Sequence, residues 1–214
     1  SLYLNFENAD WTFNKNKVKE NNLSSIASLI SNEVFKLTPI IHNELVVRDR
    51  LSSMSMNGAF NLLTRVFNNS HLKNLGMEGN PSEFGIYLSL IKSNNLHIKK
   101  GDEYIISIEN TKNKSIKTIY DEFLKLIKGS KEAVNVSDIY AHFVKQPYGI
   151  KIGLLPILIG IFFKATEASC AFYNKDEQGR ESLITEFDQK IAERLYHMPE
   201  TLKIMFVKIE GEKQ

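Results

Sequence analysis

The sequence predicts a mainly helical α+β fold built from two tandem helical units, each followed by a β-hairpin. Two observations predict it. Apolar residues recur at helical spacing along most of the 214 residues, and two pairs of short β-prone runs follow the helical stretches, each pair joined by a polar turn. A hydrophobic fraction of 43% and a charged fraction of 24% are ordinary globular values, so we expect the chain to bury a core.

The first predicted unit covers residues 1–113. Its opening, SLYLNFENADWTF, alternates enough to suggest one or two short strands, followed by the polar turn NKNK. A helix is expected from Leu23 and should end before Pro39, because the residue before a proline avoids the α region. A longer helix is predicted from about Asn43 to Phe67, although Gly58 weakens its middle.

Another helix start and a hairpin complete this unit. In the run Asn80-Pro81-Ser82-Glu83, Asn80 can cap the helix, proline suits the first turn, and Glu83 can reach back to complete a capping box. The runs LHIKK and EYIISI, separated by Gly101-Asp102, predict the hairpin.

The second predicted unit, residues 114–214, repeats this order. An amphipathic helix spans Ile116 to Ile127, Ser137 is expected to cap a second helix, and the apolar run in KQPYGIKIGLLPILIGIFFK (145–164) supplies a third. CAFY and ESLI predict a hairpin, Asp188 begins a further helix, and LKIMFVKI near the end is typical of a strand. The predicted order, in which helices are followed by a hairpin in each of the two units, is winged-helix-like.

Several classes of protein are disfavoured by composition. The apolar run from Ile152 to Phe163 has 12 residues, whereas a membrane-spanning helix needs about 20, so no membrane partner is expected. The one cysteine, Cys170, excludes an internal disulfide and a cysteine-based zinc site, and it suits the cytoplasm. Because the chain opens on Ser1 rather than methionine, we expect a piece of a longer protein.

No candidate for catalysis or for cofactor binding emerges. The phosphate loop G-x-x-x-x-G-K-[ST] is absent, so the chain is not expected to be an ATPase by itself or to bind a nucleotide cofactor. His42 and Glu44 lack the spacing of a metal-binding helix, so no metal ligands are predicted. Cys170 lies in an apolar strand, where a buried small hydrophobic residue is expected rather than a nucleophile.

Nucleic-acid binding is the alternative prediction. The net charge of +2 offers no broad cationic field, so contacts would be local. Lys99 and Lys100 are predicted at the tip of the first hairpin, and Lys145 and Lys151 flank the QPYG turn, where they could contact phosphates. The third helix of the second unit is apolar on every side and cannot read bases.

Three strings carry a family resemblance: LTPIIHNELVVRDRLS (37–52), GMEGNPSEFGIYLSLIKSNNLH (76–97) and QPYGIKIGLLPIL (146–158). In this order and spacing they resemble the region downstream of the nucleotide-binding module in large bacterial P-loop ATPases, such as those of BREX-type phage defence and related restriction systems. The matching positions are Pro39, Asn43, Glu44 and Arg48 in T-P-x-x-x-N-E-L; Gly79, Tyr87 and Leu88 in the second string; and Pro147, Tyr148, Gly149, Gly153 and Pro156 in P-Y-G-x-x-x-G-x-x-P. The family often has two prolines before the Tyr/Phe-Gly pair, whereas here Gln146 takes the first place.

The resemblance implies a non-catalytic interaction and coupling region of such an ATPase, active in phage defence, restriction or DNA processing. Its partner would be the ATPase module of the same parent chain or a separate subunit. Glu44 and Arg48, four residues apart, are interpreted either as a surface helical ion pair or as part of a contact surface for a neighbouring domain. The resemblance assigns no catalytic role to any of these positions.

Overall fold

The computed structural model describes residues 12–13, 15–17 and 23–207. Within these residues the α-helices are α1 (Leu23–Val34), α2 (Ser53–Asn68), α3 (Phe84–Ile86), α4 (Lys114–Gly129), α5 (Val136–Val144), α6 (Leu155–Thr166) and α7 (Gln189–His197). The strands are β1 (Thr12–Phe13), β2 (Asn16–Lys17), β3 (His97–Lys100), β4 (Glu103–Ile106), β5 (Val134–Asn135), β6 (Cys170–Lys175), β7 (Glu181–Leu183) and β8 (Leu202–Phe206). The predicted α+β class is confirmed.

Two hairpins follow the helical stretches, as predicted. β3 and β4 pair antiparallel, with His97 opposite Ile106 and Lys100 opposite Glu103, and Gly101 at the turn has a φ of +65°. β6 and β7 form the second hairpin. At the N-terminus β1 pairs with β2, so half of the predicted NKNK turn is a strand; the strands expected in residues 1–11 fall outside the described residues.

The long helix predicted from Asn43 is wrong in its first ten residues. Residues 43–52 form turns, and α2 begins only at Ser53, where the Ser52 hydroxyl caps the helix by accepting a hydrogen bond from the Ser55 N–H at 3.2 Å. The carboxamide oxygen of Asn43 accepts from the N–H of Leu45 at 2.9 Å. Such local side-chain bonds offer the backbone an alternative to a continuing helix.

The capping box predicted at Asn80 is also absent. Glu83, only 2% exposed, directs its carboxylate to Nε of Arg65 on α2 at 2.8 Å and to the hydroxyl of Ser82 at 3.2 Å. A three-residue α3 follows and continues as a π-helix over Tyr87–Lys92. The acidic side chain therefore links two helices instead of capping its own.

The second half of the chain has a winged-helix-like topology with one insertion. After α4, the short β5 leads into α5 at an Asn135 N-cap, so Ser137 is not the cap that was predicted. The four-stranded sheet has the order β5-β8-β6-β7, with all three pairings antiparallel. The returning strand β8 thus lies between β5 and β6, while β7 and α7 occupy the long connection before it.

The centre of the core is α6, which packs against α2. Every residue from Leu155 to Phe163 is buried, and Pro156 lies in the first turn, as expected. A Cβ on Gly160 would collide with Leu63 of α2, so glycine allows the two helices to approach closely. One continuous cluster of buried side chains extends from Ile41 to Ile204. None of the described helices has the length and apolar character needed to cross a membrane.

Replacing Arg65 with methionine should lower the free energy of unfolding by about 2–3 kcal/mol at pH 7, because it leaves a buried carboxylate without its partner. Burial by itself would raise the pKa of Glu83, but the backbone N–H and the Arg65 and Ser82 contacts together hold it below its ordinary 4.5. The pair therefore stabilises the fold fully above about pH 4.5, and this contribution is lost as the pH falls through the lowered pKa.

Urea unfolding of both proteins at pH 7 and at pH 3.5 measures this effect, and the difference should shrink at the lower pH. Arg180→Met is the matched control, since the Arg180–Asp176 pair lies on the surface and should contribute less than about 1 kcal/mol. Equal losses in the two variants would contradict the assignment.

Candidate interaction site

Two of the three family-like strings meet in space. The N–H of Leu37 donates to the carbonyl of Pro147 at 3.1 Å, and the Thr38 hydroxyl donates to the carbonyl of Tyr148. Further along, the N–H of Gly153 donates to the carbonyl of Arg48 at 2.9 Å. We call this contact between residues 35–51 and residues 145–153 the motif junction.

Two glycines allow the close approach of the backbones at the motif junction. Gly149 has a φ of +57°, which favours glycine, and a Cβ there would overlap the Phe35 ring. At Gly153 a Cβ would lie 2.6 Å from the carbonyl oxygen of Arg48 and 2.8 Å from that of Val46. Because those atoms belong to the backbone, they cannot rotate away.

Tyr148 anchors the turn. Its ring is buried and packs edge-on against Phe143 of α5, with ring centroids 5.0 Å apart, and it lies 5.3 Å from the His142 ring. Burial raises the pKa of the Tyr148 hydroxyl, and the nearby Glu122 carboxylate raises it further. The aromatic contacts connect the motif junction to the predicted second unit. Pro39 on the opposite segment is likewise buried.

The polar residues of the first string divide into an inner and an outer group. Asn43 is half-buried, and its amide donates to the hydroxyl of Ser89 on the π-helix at 2.6 Å, which links the first string to the second. Glu44 and Arg48 form an exposed ion pair at 3.8 Å, but on a turn rather than on the helix that was expected. Gly79 lies apart in an exposed loop at a φ of +66°, so its turn geometry accounts for glycine there.

The four lysines predicted as phosphate contacts lie on two separate segments, β3 and the ends of the QPYG turn. Lys151 forms an ion pair with Asp49 at 2.8 Å across the motif junction, and Lys145 is exposed before the turn. Lys99 and Lys100 lie exposed near the tip of the first hairpin, as predicted, with Glu103 directly opposite Lys100.

Sequence reasoning assigned no role to several residues that contact the segment 145–153 at the motif junction. Phe35, Val46 and Asp49 contact the turn, and the Tyr196 hydroxyl of α7 donates to the Gly153 carbonyl at 2.9 Å. Val46 and Asp49 lie within the first family-like string, but the resemblance gave them no role of their own, and Phe35 lies outside that string. No pattern in the sequence pointed to Tyr196, which lies 43 residues away.

The outer surface of the motif junction is apolar and grooved. Ile40 is 73% exposed, Leu45 48% and Ile152 49%. A groove of about 440 Å³ runs along residues 41–48, and a second of about 560 Å³ lies between residues 49–57, Ile152 and α7. Large apolar side chains exposed on a fixed backbone are typical of a protein-binding surface.

Among the described residues, no group of three His, Cys, Asp or Glu side chains is arranged to hold a metal ion. Cys170 is half-buried, and burial raises the pKa of its thiol despite the nearby Thr166 hydroxyl and Lys128, which disfavours the reactive thiolate.

Gly153→Ala should destabilise the protein by about 1–3 kcal/mol, because its methyl group would overlap two fixed carbonyl oxygens and force the segments apart. Gly85→Ala is the matched control: no atom lies within 4 Å of a Cβ placed there, so it should be neutral or stabilise by up to about 1 kcal/mol. Thermal unfolding compares the two. Similar melting temperatures would show that the contact at Gly153 is not tight.

The motif junction is a contact between distant parts of the chain, formed by backbone hydrogen bonds and by close packing at two glycines. Folding brings its residues together, because they lie far apart in the sequence. No protein-family model, curated protein or solved structure matches this chain.

Proposed function

We propose that this chain is a non-catalytic interaction and coupling region of a larger bacterial P-loop ATPase that acts in phage defence, restriction or DNA processing. The observation that carries the proposal is the motif junction, where residues of two family-like strings form one rigid contact beneath exposed apolar side chains. The partner is the nucleotide-binding module of the same parent chain or a separate subunit.

The chemistry of this surface supports a protein partner. Two ion pairs, Glu44–Arg48 and Asp49–Lys151, pair four of the seven charged side chains in residues 35–51 and 145–153. Ile40, Leu45 and Ile152 supply exposed apolar area, and exposed charged residues such as Glu44 and Lys151 adjoin them in the chain. Exposed apolar side chains with charged side chains beside them match the apolar centre and polar rim of a protein interface.

Coupling is supported by the connections of the motif junction. Asn43 bonds to Ser89 of the π-helix, and Tyr148 packs on α5. A displacement imposed at this surface would therefore be felt by both halves of the chain. The π-helix is a further reason, since such segments are frequent at functional sites.

Reading of DNA bases receives less support. The helix in the reading position, α6, is buried from Leu155 to Phe163 and leaves no side chain for base edges. Asp102 and Glu103 adjoin Lys99 and Lys100 at the hairpin tip and offset their charge. Lys151 already has an ion-pair partner.

The first test is the parent reading frame. Sequencing the gene should reveal G-x-x-x-x-G-K-[ST] upstream in the same frame or in an adjacent gene. A parent locus without any nucleotide-binding module would remove the proposal.

The second test measures coupling in that parent protein. Ile152→Asp should lower the rate of ATP hydrolysis at least fivefold, because a charge placed in the interface opposes docking of the module. Leu183→Asp is the matched control: Leu183 is 55% exposed, close to the 49% of Ile152, but lies on β7, away from the motif junction. If Ile152→Asp leaves hydrolysis unchanged, the motif junction is not the coupling surface.

A further inference from the structure

The most basic stretch of the chain was not singled out from sequence, and its lysines form none of the contacts described at the motif junction. Residues 112–131 contain six lysines and two acidic residues, a net charge of +4. The whole chain has a net charge of +2, so the remaining residues together carry −2. A positive region on an otherwise slightly negative molecule orients an anionic partner toward it.

Folding gathers these charges onto one face of α4. Lys114, Lys117, Lys125 and Lys128 are all exposed, and their spacing of i, i+3, i+11 and i+14 places them on one side of the helix. They span about 21 Å at 1.5 Å per residue. Asp121 lies between the two lysine pairs, and Lys112 and Lys131 extend the row at its ends. We call this surface the lysine face.

The opposite side of α4 holds the lysine face in position. Ile116, Ile119, Phe123 and Ile127 are buried in the core, and the Asn113 side chain caps the helix by accepting from the Ile116 N–H at 3.2 Å. Since the apolar side is already covered by protein, α4 cannot insert it into a lipid surface.

Of the four lysines that α4 contributes to the lysine face, the two in its C-terminal half have partners within the chain. Nζ of Lys125 lies 3.3 Å from a carboxylate oxygen of Glu122, and Nζ of Lys128 lies 4.8 Å from the centroid of the Phe206 ring. Within the described residues, Lys114 and Lys117 form no ion pair. The N-terminal half of α4 therefore offers ammonium groups whose charge is not compensated.

We propose that the lysine face binds the phosphate backbone of double-stranded nucleic acid, without reading its sequence. A duplex presents about one negative charge per 1.7 Å of its axis, so about a dozen phosphates lie along 21 Å. Lysine acts as a point charge on a flexible stem and needs no fixed geometry to meet them.

The aromatic side chains of α4 are not exposed on the lysine face, and this favours a duplex over a single strand as its partner. Binding of single strands depends on aromatic side chains on which bases stack. The aromatic residues of α4 face inward: Phe123 is buried, and Tyr120 packs edge-on against Phe162 with ring centroids 5.4 Å apart. Burial raises the pKa of Tyr120 to about 12, so this side chain stays neutral beneath the surface.

The expected signature is a steep dependence on salt. With about four phosphate contacts, the affinity should fall roughly 100-fold between 50 and 200 mM salt. It should also be the same for duplexes of unrelated sequence, because backbone contacts carry no sequence information.

The experiment is fluorescence anisotropy with a 30-base-pair DNA duplex. In K114Q/K117Q we expect at least a tenfold loss of affinity at 50 mM salt. The slope of log affinity against log salt concentration should be smaller in magnitude by about two. K114R/K117R keeps the charge and should bind as the parent protein does. K99Q/K100Q removes the same charge from the hairpin tip and should stay within twofold.

Each result has a defined meaning. Thermal melts of the three variants, whose altered side chains are exposed, establish that they remain folded. The proposal is overturned if the unaltered protein does not bind at 50 mM salt, or if K99Q/K100Q loses as much affinity as K114Q/K117Q. It is also overturned if the matching single strand binds more tightly, or if polyglutamate competes as well as the duplex does, since the partner would then be an acidic polypeptide.

Discussion

The burial of α6 is the constraint on which the rest of the structure depends. A helix with apolar side chains on all sides must be covered on all sides, because each exposed stripe would forfeit the free energy of burial. Helix α4, through Tyr120 and Phe123, and strand β6, through Phe172, cover only part of it. Helix α2 covers another part, and Gly160 lets Leu63 come close enough to do so. The two halves of the chain consequently share one core.

The motif junction follows from this arrangement. Once α2 lies on α6, the segment that leads into α2 must pass the turn that leads into α6. Both segments are irregular, so their backbone groups need partners, and they satisfy one another through Leu37, Thr38 and Gly153. This exchange joins the two loops through backbone groups. Loops held by such hydrogen bonds, with Ile40 and Ile152 exposed, form the kind of surface that another protein domain can engage without a large ordering cost.

The distribution of charge separates the two proposed roles. At the motif junction two ion pairs, Glu44–Arg48 and Asp49–Lys151, lie on the same segments as the exposed apolar side chains Ile40, Leu45 and Ile152, which favours a protein partner. On α4 the lysines outnumber the acids and Lys114 and Lys117 form no ion pair in the part of the chain that the structure describes. A coupling region with one surface for an ATPase module and another for a polyanion would connect nucleotide hydrolysis to nucleic acid.

The sequence by itself determined the helices and hairpins whose periodic pattern was strong: α1, α4, α6, α7, both hairpins and β8. It also indicated that α6 is core and that the run is too short for a membrane. Local hydrogen bonds made by Asn43 and Ser52 interrupt the long helix that the pattern predicted. The carboxylate of Glu83 binds Arg65 instead of capping its own helix. The motif junction could be anticipated only as two separate strings. Only the tertiary structure explains why residue 153 is a glycine: the carbonyl oxygens of Arg48 and Val46, about a hundred residues away in the chain, leave no room for a Cβ there. Close backbone approach between distant segments leaves no periodic pattern in a sequence, so the sequence could not predict it.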